Sequence, residues 1–250
     1  MRPDSGRERA WLALPIGSRG GAFTGLWART PNAPGPAYAD AGLTGRVMKV
    51  ADLVACADFP CREVDHSRYG IPGGRVDPGR VRLLLVAEAP PAEAADGFDA
   101  PGMPFHLETT LDAFRAAGAA VASRAELTAL GVYLTTAVKC AKVAYGVERA
   151  TVEACSRLLE VELGLFPNAR VIMLMGDVAI AAGNAISRRG TGRRLIPSGP
   201  TYKVRGGEYW FEGKRVFPSY LPTGKSYLIE RSKREMIAAD LKAALAFIGE

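Results

Sequence analysis

The alternation of apolar runs with helically periodic segments predicts an α/β fold, a three-layer α/β/α sandwich around a central, mainly parallel sheet. Two observations carry this prediction. Three runs of strand length, Arg82–Ala87, Gly131–Lys139 and Arg170–Met175, are almost unbroken in apolar or β-favouring residues, the pattern of strands buried on both faces. Between and after them lie segments with helical spacing, and strand, helix, strand, helix closes into three layers when crossovers are right-handed.

Residues 1–50, rich in Gly, Pro, Ala and Arg, are expected to form an irregular N-terminal extension, with one domain spanning 51–250. The first strand ends in Ala87-Glu88-Ala89-Pro90-Pro91, so Glu88 is delivered to the carboxyl end of a buried strand. That edge is where open α/β sheets place ligands. Ala92 to Pro104 reads as a loop, with Glu93, Asp96 and Asp99 in it, and Phe105 and His106 follow. Leu107, Leu111, Phe114 and Ala117 recur at helical spacing.

The second strand runs through Thr136 and straight into Cys140, and a helix from about Glu148 to Leu165 carries Cys155. The third strand ends at Gly176-Asp177, where another helix begins. Pro200 to Phe217 reads as a twisted hairpin, 218–226 as a compact loop, and Tyr227 to Phe247 as a final helix.

Composition bounds the function. The chain has 250 residues, 48% hydrophobic, enough for a real core. No run approaches the ~18 apolar residues of a membrane span, and the N-terminus has no convincing signal-peptide core, so a soluble cytoplasmic protein is expected; a monomer is expected as well. A net charge of +6 favours an anionic partner, nucleic acid among the candidates, and much of the excess falls in the last quarter.

The four cysteines fall into two pairs, Cys56 with Cys61 and Cys140 with Cys155. Without a secretory signal, four thiols suit a metal or iron–sulfur centre better than disulfides. Zinc competes on the same donor set, and four independent core cysteines remain the plain alternative. Pro222-Thr-Gly-Lys-Ser226 is rejected as a phosphate loop because position 219 is Ser, where that motif needs Gly. His66 and His106 read as structural, and no Ser-His-Asp or Cys-His arrangement stands out.

Taken together, residues 55–245 resemble the uracil-DNA glycosylase superfamily, most of all its iron–sulfur branch. The resemblance rests on Ala87-Glu88-Ala89-Pro90-Pro91, Met103-Pro104-Phe105, Thr135-Thr136-Ala137-Val138-Lys139-Cys140, Cys155 and Tyr220-Leu221-Pro222-Thr223, which occur in the family's order. It implies an enzyme that flips a nucleotide out of DNA and hydrolyses the bond between deoxyribose and base without a lysine Schiff base. It further implies a [4Fe–4S] cluster on Cys56, Cys61, Cys140 and Cys155, with Glu88, or less strongly Glu93, as the catalytic carboxylate. Ala87, Phe105, Thr136 and Leu221 are then expected around the base, with Phe105 stacking on it. Thr223, Lys225, Ser226 and Arg231 are expected against the DNA backbone.

Departures from the family pattern bear on specificity. The Asn that reads the edge of uracil is here Thr136, whose hydroxyl cannot reproduce the paired donor and acceptor of a carboxamide. The late His that donates to the departing base is here Leu221. Ala87 and Pro91 stand in place of two glycines. The base excised is then expected to be uracil or, with the pocket reshaped by these changes, another modified pyrimidine. The alternative is a glycosylase-fold protein that binds DNA or a base without cleaving it.

Overall fold

A computed structural model describes residues 45–249 apart from 73, 145 and 224, and only the backbone at Lys225 and Ser226. The expected extension up to residue 44 therefore lies outside the described residues, as do the expected side-chain roles of Lys225 and Ser226.

The chain runs β1 (Met48–Lys49), β2 (Val64–Asp65), β3 (Arg75–Val76), β4 (Leu83–Ala87), α1 (Phe105–Ala116), α2 (Arg124–Ala129), β5 (Val132–Thr136), β6 (Ala141–Lys142), α3 (Arg149–Gly164), β7 (Val171–Met175), α4 (Asp177–Thr191), α5 (Thr201–Val204), β8 (Tyr209–Phe211), β9 (Lys214–Ser219), α6 (Lys225–Ile229) and α7 (Arg231–Gly249). The main sheet has five strands in the order β5-β4-β7-β9-β8. All its pairs are parallel except β8 with β9. Two short antiparallel pairs, β1 with β3 and β2 with β6, lie outside it.

The central strands are apolar throughout because both their faces are covered. Leu84, Val86, Ile172, Leu174 and Val216 belong to one buried cluster, with Leu158, Leu159 and Leu163 of α3 and Ala179, Ala182 and Ile186 of α4. Their alternating neighbours Leu83, Leu85, Met173, Met175 and Phe217 belong to the other, with Leu107, Leu111 and Phe114 of α1 and Ile237 and Leu241 of α7. The two-residue period of the strands thus separates two helical layers, giving the predicted sandwich. Gly183 lets α4 lie close to β7, since a Cβ there would meet Leu174 Cδ1 at 2.7 Å.

Helix placement determines where a ligand can enter. The connection from β4 to β5 runs through α1 on one face, whereas those leaving β5 and β7 run through α3 and α4 on the other. The chain therefore reverses direction at β4, and the carboxyl ends of β5, β4 and β7 flank the crevice such a reversal opens.

One helix is added and two local expectations are revised. Helix α2 falls in a stretch to which sequence periodicity gives no element, although Ser123 and Glu126 spell an N-terminal capping signature. The Ser123 hydroxyl accepts from the Glu126 amide at 3.3 Å, while the Glu126 carboxylate accepts from the Ala122 amide. The hairpin is confined to 209–219, because Thr201–Val204 form the short helix α5 behind Pro200, a favourable residue just before a first turn. The final helix is two helices, parted at Glu230.

Candidate functional site

Strand β4 ends in Ala87, so Glu88 emerges at the crevice where β4 neighbours both β5 and β7. Its backbone carbonyl accepts from the Val138 amide at 2.9 Å, which holds the turn after β5 against the turn after β4. The carboxylate lies over Gly176, the residue that opens α4. Gly176 has φ +96°, and a Cβ there would come within 2.6 Å of Glu88 Oε1. Glycine satisfies both the left-handed backbone and the close approach. On its other side, Glu88 Oε2 accepts a charge-assisted hydrogen bond from Lys142 Nζ at 2.5 Å, with the two side chains only 16% and 18% exposed.

Beside this pair opens a cleft of about 460 Å³. Pro90, Pro91, Thr135, Thr136 and Ala141 form one wall, and the loop through Phe98, Asp99 and Pro101 the other. Guanidinium groups pin that loop near both ends. Arg68 donates to the Ala92 carbonyl, and Arg124 to the Phe98 carbonyl and the Asp99 carboxylate. The walls are mostly apolar, with Arg68, Asp99, Thr135 and Thr136 the polar residues among them, the character of a small-molecule pocket.

Thr136 is itself held from behind. Lys139, fully buried, donates to the Thr136 carbonyl, to Thr135 Oγ1 at 2.9 Å and to Glu162 Oε2 at 2.5 Å. The other oxygen of Glu162 accepts from the hydroxyls of Tyr133 and Thr135, each at 2.7 Å. All three ammonium protons and both carboxylate oxygens are thereby satisfied, the condition for retaining a buried ion pair.

The remaining expected base-site residues are more dispersed. Phe105 starts α1 half-buried, beside His106, whose ring meets Phe98 edge-on at 5.9 Å. His106 also lies near Asp96 and Lys142, and burial depresses its pKa below the ordinary imidazole value. Ala87 is buried in β4, and Leu221, partly buried, packs against the apolar cluster to which α1 and α7 contribute. None of Ala87, Glu88, Phe105 and Leu221 lines the cleft. Glu93 is exposed on the loop. Thr223 is only 3% exposed, which differs from its expected place on the surface, and Arg231 pairs with Glu235 at 2.9 Å. Lys142 was missed by sequence reasoning, since no spacing links it to a carboxylate 54 positions earlier.

The cysteines gather on the other helical face. Cys56 and Cys61 are half-buried in the loop before β2, and Cys140 and Cys155 are buried at the turn after β5 and in α3. The Cys155 thiol beside Cys61 holds the Cys61 pKa below its usual value, while burial and the charges of Cys61 and Cys56 push Cys140 up. Cys140 Sγ also lies 3.3 Å from His66 Nδ1, whose other nitrogen donates to the Cys61 carbonyl at 2.7 Å. Four soft sulfur donors thus share one neighbourhood. Among the described residues, however, no three His, Cys, Asp or Glu side chains are drawn together as a single metal ion requires.

Residues 74–244, which carry this carboxylate and the cleft beside it, match the family model of the uracil DNA glycosylase superfamily. The chain belongs to that superfamily. Among characterised relatives it is 32% identical over 126 residues to a type-5 uracil-DNA glycosylase of Thermus thermophilus, an overlap covering 50% of this chain and 54% of the relative. The chain thus spans about half the length of that curated relative. Among the described residues no helix is long and apolar enough to cross a membrane.

Proposed function

We propose that the protein is a monofunctional DNA glycosylase that flips a damaged or modified pyrimidine into the cleft beside Thr136 and hydrolyses its N-glycosidic bond. The observation carrying this reading is the Glu88 carboxylate, held between Lys142 and Gly176 where the sheet reverses.

A base must leave the stack before its glycosidic bond can be reached, at a cost of a few kcal/mol. Aromatic stacking returns ~1–3 kcal/mol per base, the role the family pattern gives to Phe105, while Phe98 is the aromatic side chain in the cleft wall. Cleavage puts positive charge on the sugar and negative charge on the base. Glu88 stabilises the first and orients the attacking water. A cleft of about 460 Å³ and a hydroxyl in place of the family's carboxamide favour pyrimidines bulkier than uracil. The basic last quarter of the chain, Arg231 included, supplies phosphate contacts, so affinity for DNA falls as salt rises.

We assign a [4Fe–4S] cluster to Cys56, Cys61, Cys140 and Cys155. All four ligands are soft thiols, and a four-iron cube reaches its cysteines at separate corners, whereas zinc draws every sulfur to ~2.3 Å. When bound, the cluster ties the loop before β2 to β5 and α3. Absorbance near about 400 nm that bleaches on reduction distinguishes it from zinc.

The test of the activity is a panel of duplexes carrying uracil, hypoxanthine, and substituted uracils and cytosines, scored by alkaline strand scission. Release of a substituted pyrimidine, lost in Glu88→Gln, is the expected result; release of uracil alone refutes the enlarged specificity. A second reading, binding without cleavage, is favoured by Leu221, whose apolar side chain packs against the buried cluster and offers no donor at the late-loop position. DNA binding with no scission on any duplex would establish it.

A further inference from the structure

We propose that Lys142 supplies the positive charge that stabilises the departing base, taking over from the late-loop imidazole this chain lacks. The inference rests on the glycosylase reading above and assigns a group to its leaving-group half.

Heterolysis of the glycosidic bond sends the bonding electron pair to the base, and the sugar takes an oxygen from water whose proton must be accepted. Glu88 can accept that proton and stabilise the sugar, but a carboxylate opposes charge on the base. A cation is required beside it. Leu221 offers no polar atom and packs among apolar side chains, while burial disfavours a charged His106.

Lys142 is placed for this task by three contacts. Its ammonium touches Glu88 Oε2 at 2.5 Å with 18% of the side chain exposed, so its field is only partly screened. Its amide donates to the Pro90 carbonyl at 3.1 Å, and both Pro90 and its neighbour Ala141 line the cleft. Strand β6 is in turn paired with β2, Lys142 opposite Val64. The ammonium is thereby anchored beside residues that line the cavity and faces the Glu88 carboxylate at its side. As the base departs, Lys142 compensates the new anion, and Glu88 is released from its ion pair to take the water proton.

The test compares single-turnover excision of uracil and 5-fluorouracil from otherwise identical duplexes by wild type, Lys142→Met, Lys142→Gln and Lys142→Arg. Fluorine stabilises the base anion and so relaxes the demand for a cation. Removing one stabilising donor costs about 100-fold or more in rate, so Met and Gln are expected to lose about that factor on uracil and at least tenfold less on 5-fluorouracil. Arg, keeping the charge, should stay within about tenfold of wild type on both. Equal losses on the two bases would mean a purely structural role and overturn the proposal, as would unchanged rates. Sodium borohydride trapping of a covalent DNA adduct would also overturn it, since the lysine would then be a nucleophile. If wild type itself releases neither these two bases nor any base of the wider panel, the glycosylase reading fails, and this proposal with it; that result is visible without any substitution.

Discussion

Replacing Lys139 with Met keeps most of the buried stem and removes an ammonium group that donates to Thr135, Thr136 and Glu162. The Glu162 carboxylate, fully buried, would retain only the hydroxyls of Tyr133 and Thr135 as partners. Removing one member of a buried ion pair costs about 3–5 kcal/mol, because the survivor stays desolvated without compensation. For a domain of this size each kcal/mol moves the melting temperature by about 2–4 °C, so a fall of about 6–20 °C is expected. Lys139→Met/Glu162→Gln, which removes both charges, should be more stable than the sum of the single losses by about 0.5–3 kcal/mol. Thermal and urea unfolding followed by circular dichroism supplies the numbers. A shift below about 2 °C for Lys139→Met, or strict additivity in the double variant, would refute the argument that this pair holds the end of β5.

Three further outcomes follow from the geometry of the site. Gly176→Ala places a methyl group 2.6 Å from Glu88 Oε1 at φ +96°; the backbone term alone costs about 1–3 kcal/mol, and base excision should fall further than stability predicts. Excision unchanged in the folded variant would show that Glu88 need not sit against α4. Thr136→Asn restores a paired donor and acceptor at the cleft wall and should raise the preference for uracil over 5-substituted uracils by about tenfold or more; competition assays with mixed duplexes measure it, and an unchanged ratio removes Thr136 from base reading. Burial lowers the His106 pKa, with Asp96 opposing and Lys142 assisting. The unfolded chain therefore binds a proton that the folded chain refuses, and stability declines as pH falls through about 6.5 until the folded-state pKa is reached. His106→Gln should flatten unfolding free energy between about pH 7 and 5, and an identical slope in the two proteins counts against this assignment.

Much of the fold was legible because β4, β5 and β7 are covered on both faces, and double burial writes itself as a continuous apolar run. Helix α2 was also legible, in Ser123 and Glu126, but a six-residue helix carries too little periodicity to stand out from a loop. The split between α6 and α7 was hidden because Tyr227 and Ile237 both face the core and imitate one continuous helix. At the site, Glu88 announced itself as a charge ending an apolar strand.

Contacts between distant segments had no such signature. The partnership of Glu88 with Lys142, the passage of Gly176 beneath the carboxylate, and the burial of Thr223 depend on which loops meet above the sheet. Local sequence by itself determines patterns of burial, since hydrophobic period and turn chemistry act within a few residues. Tertiary structure alone decides which charges face one another, because electrostatic pairing acts through space and its partners arrive from separate crossovers of the chain.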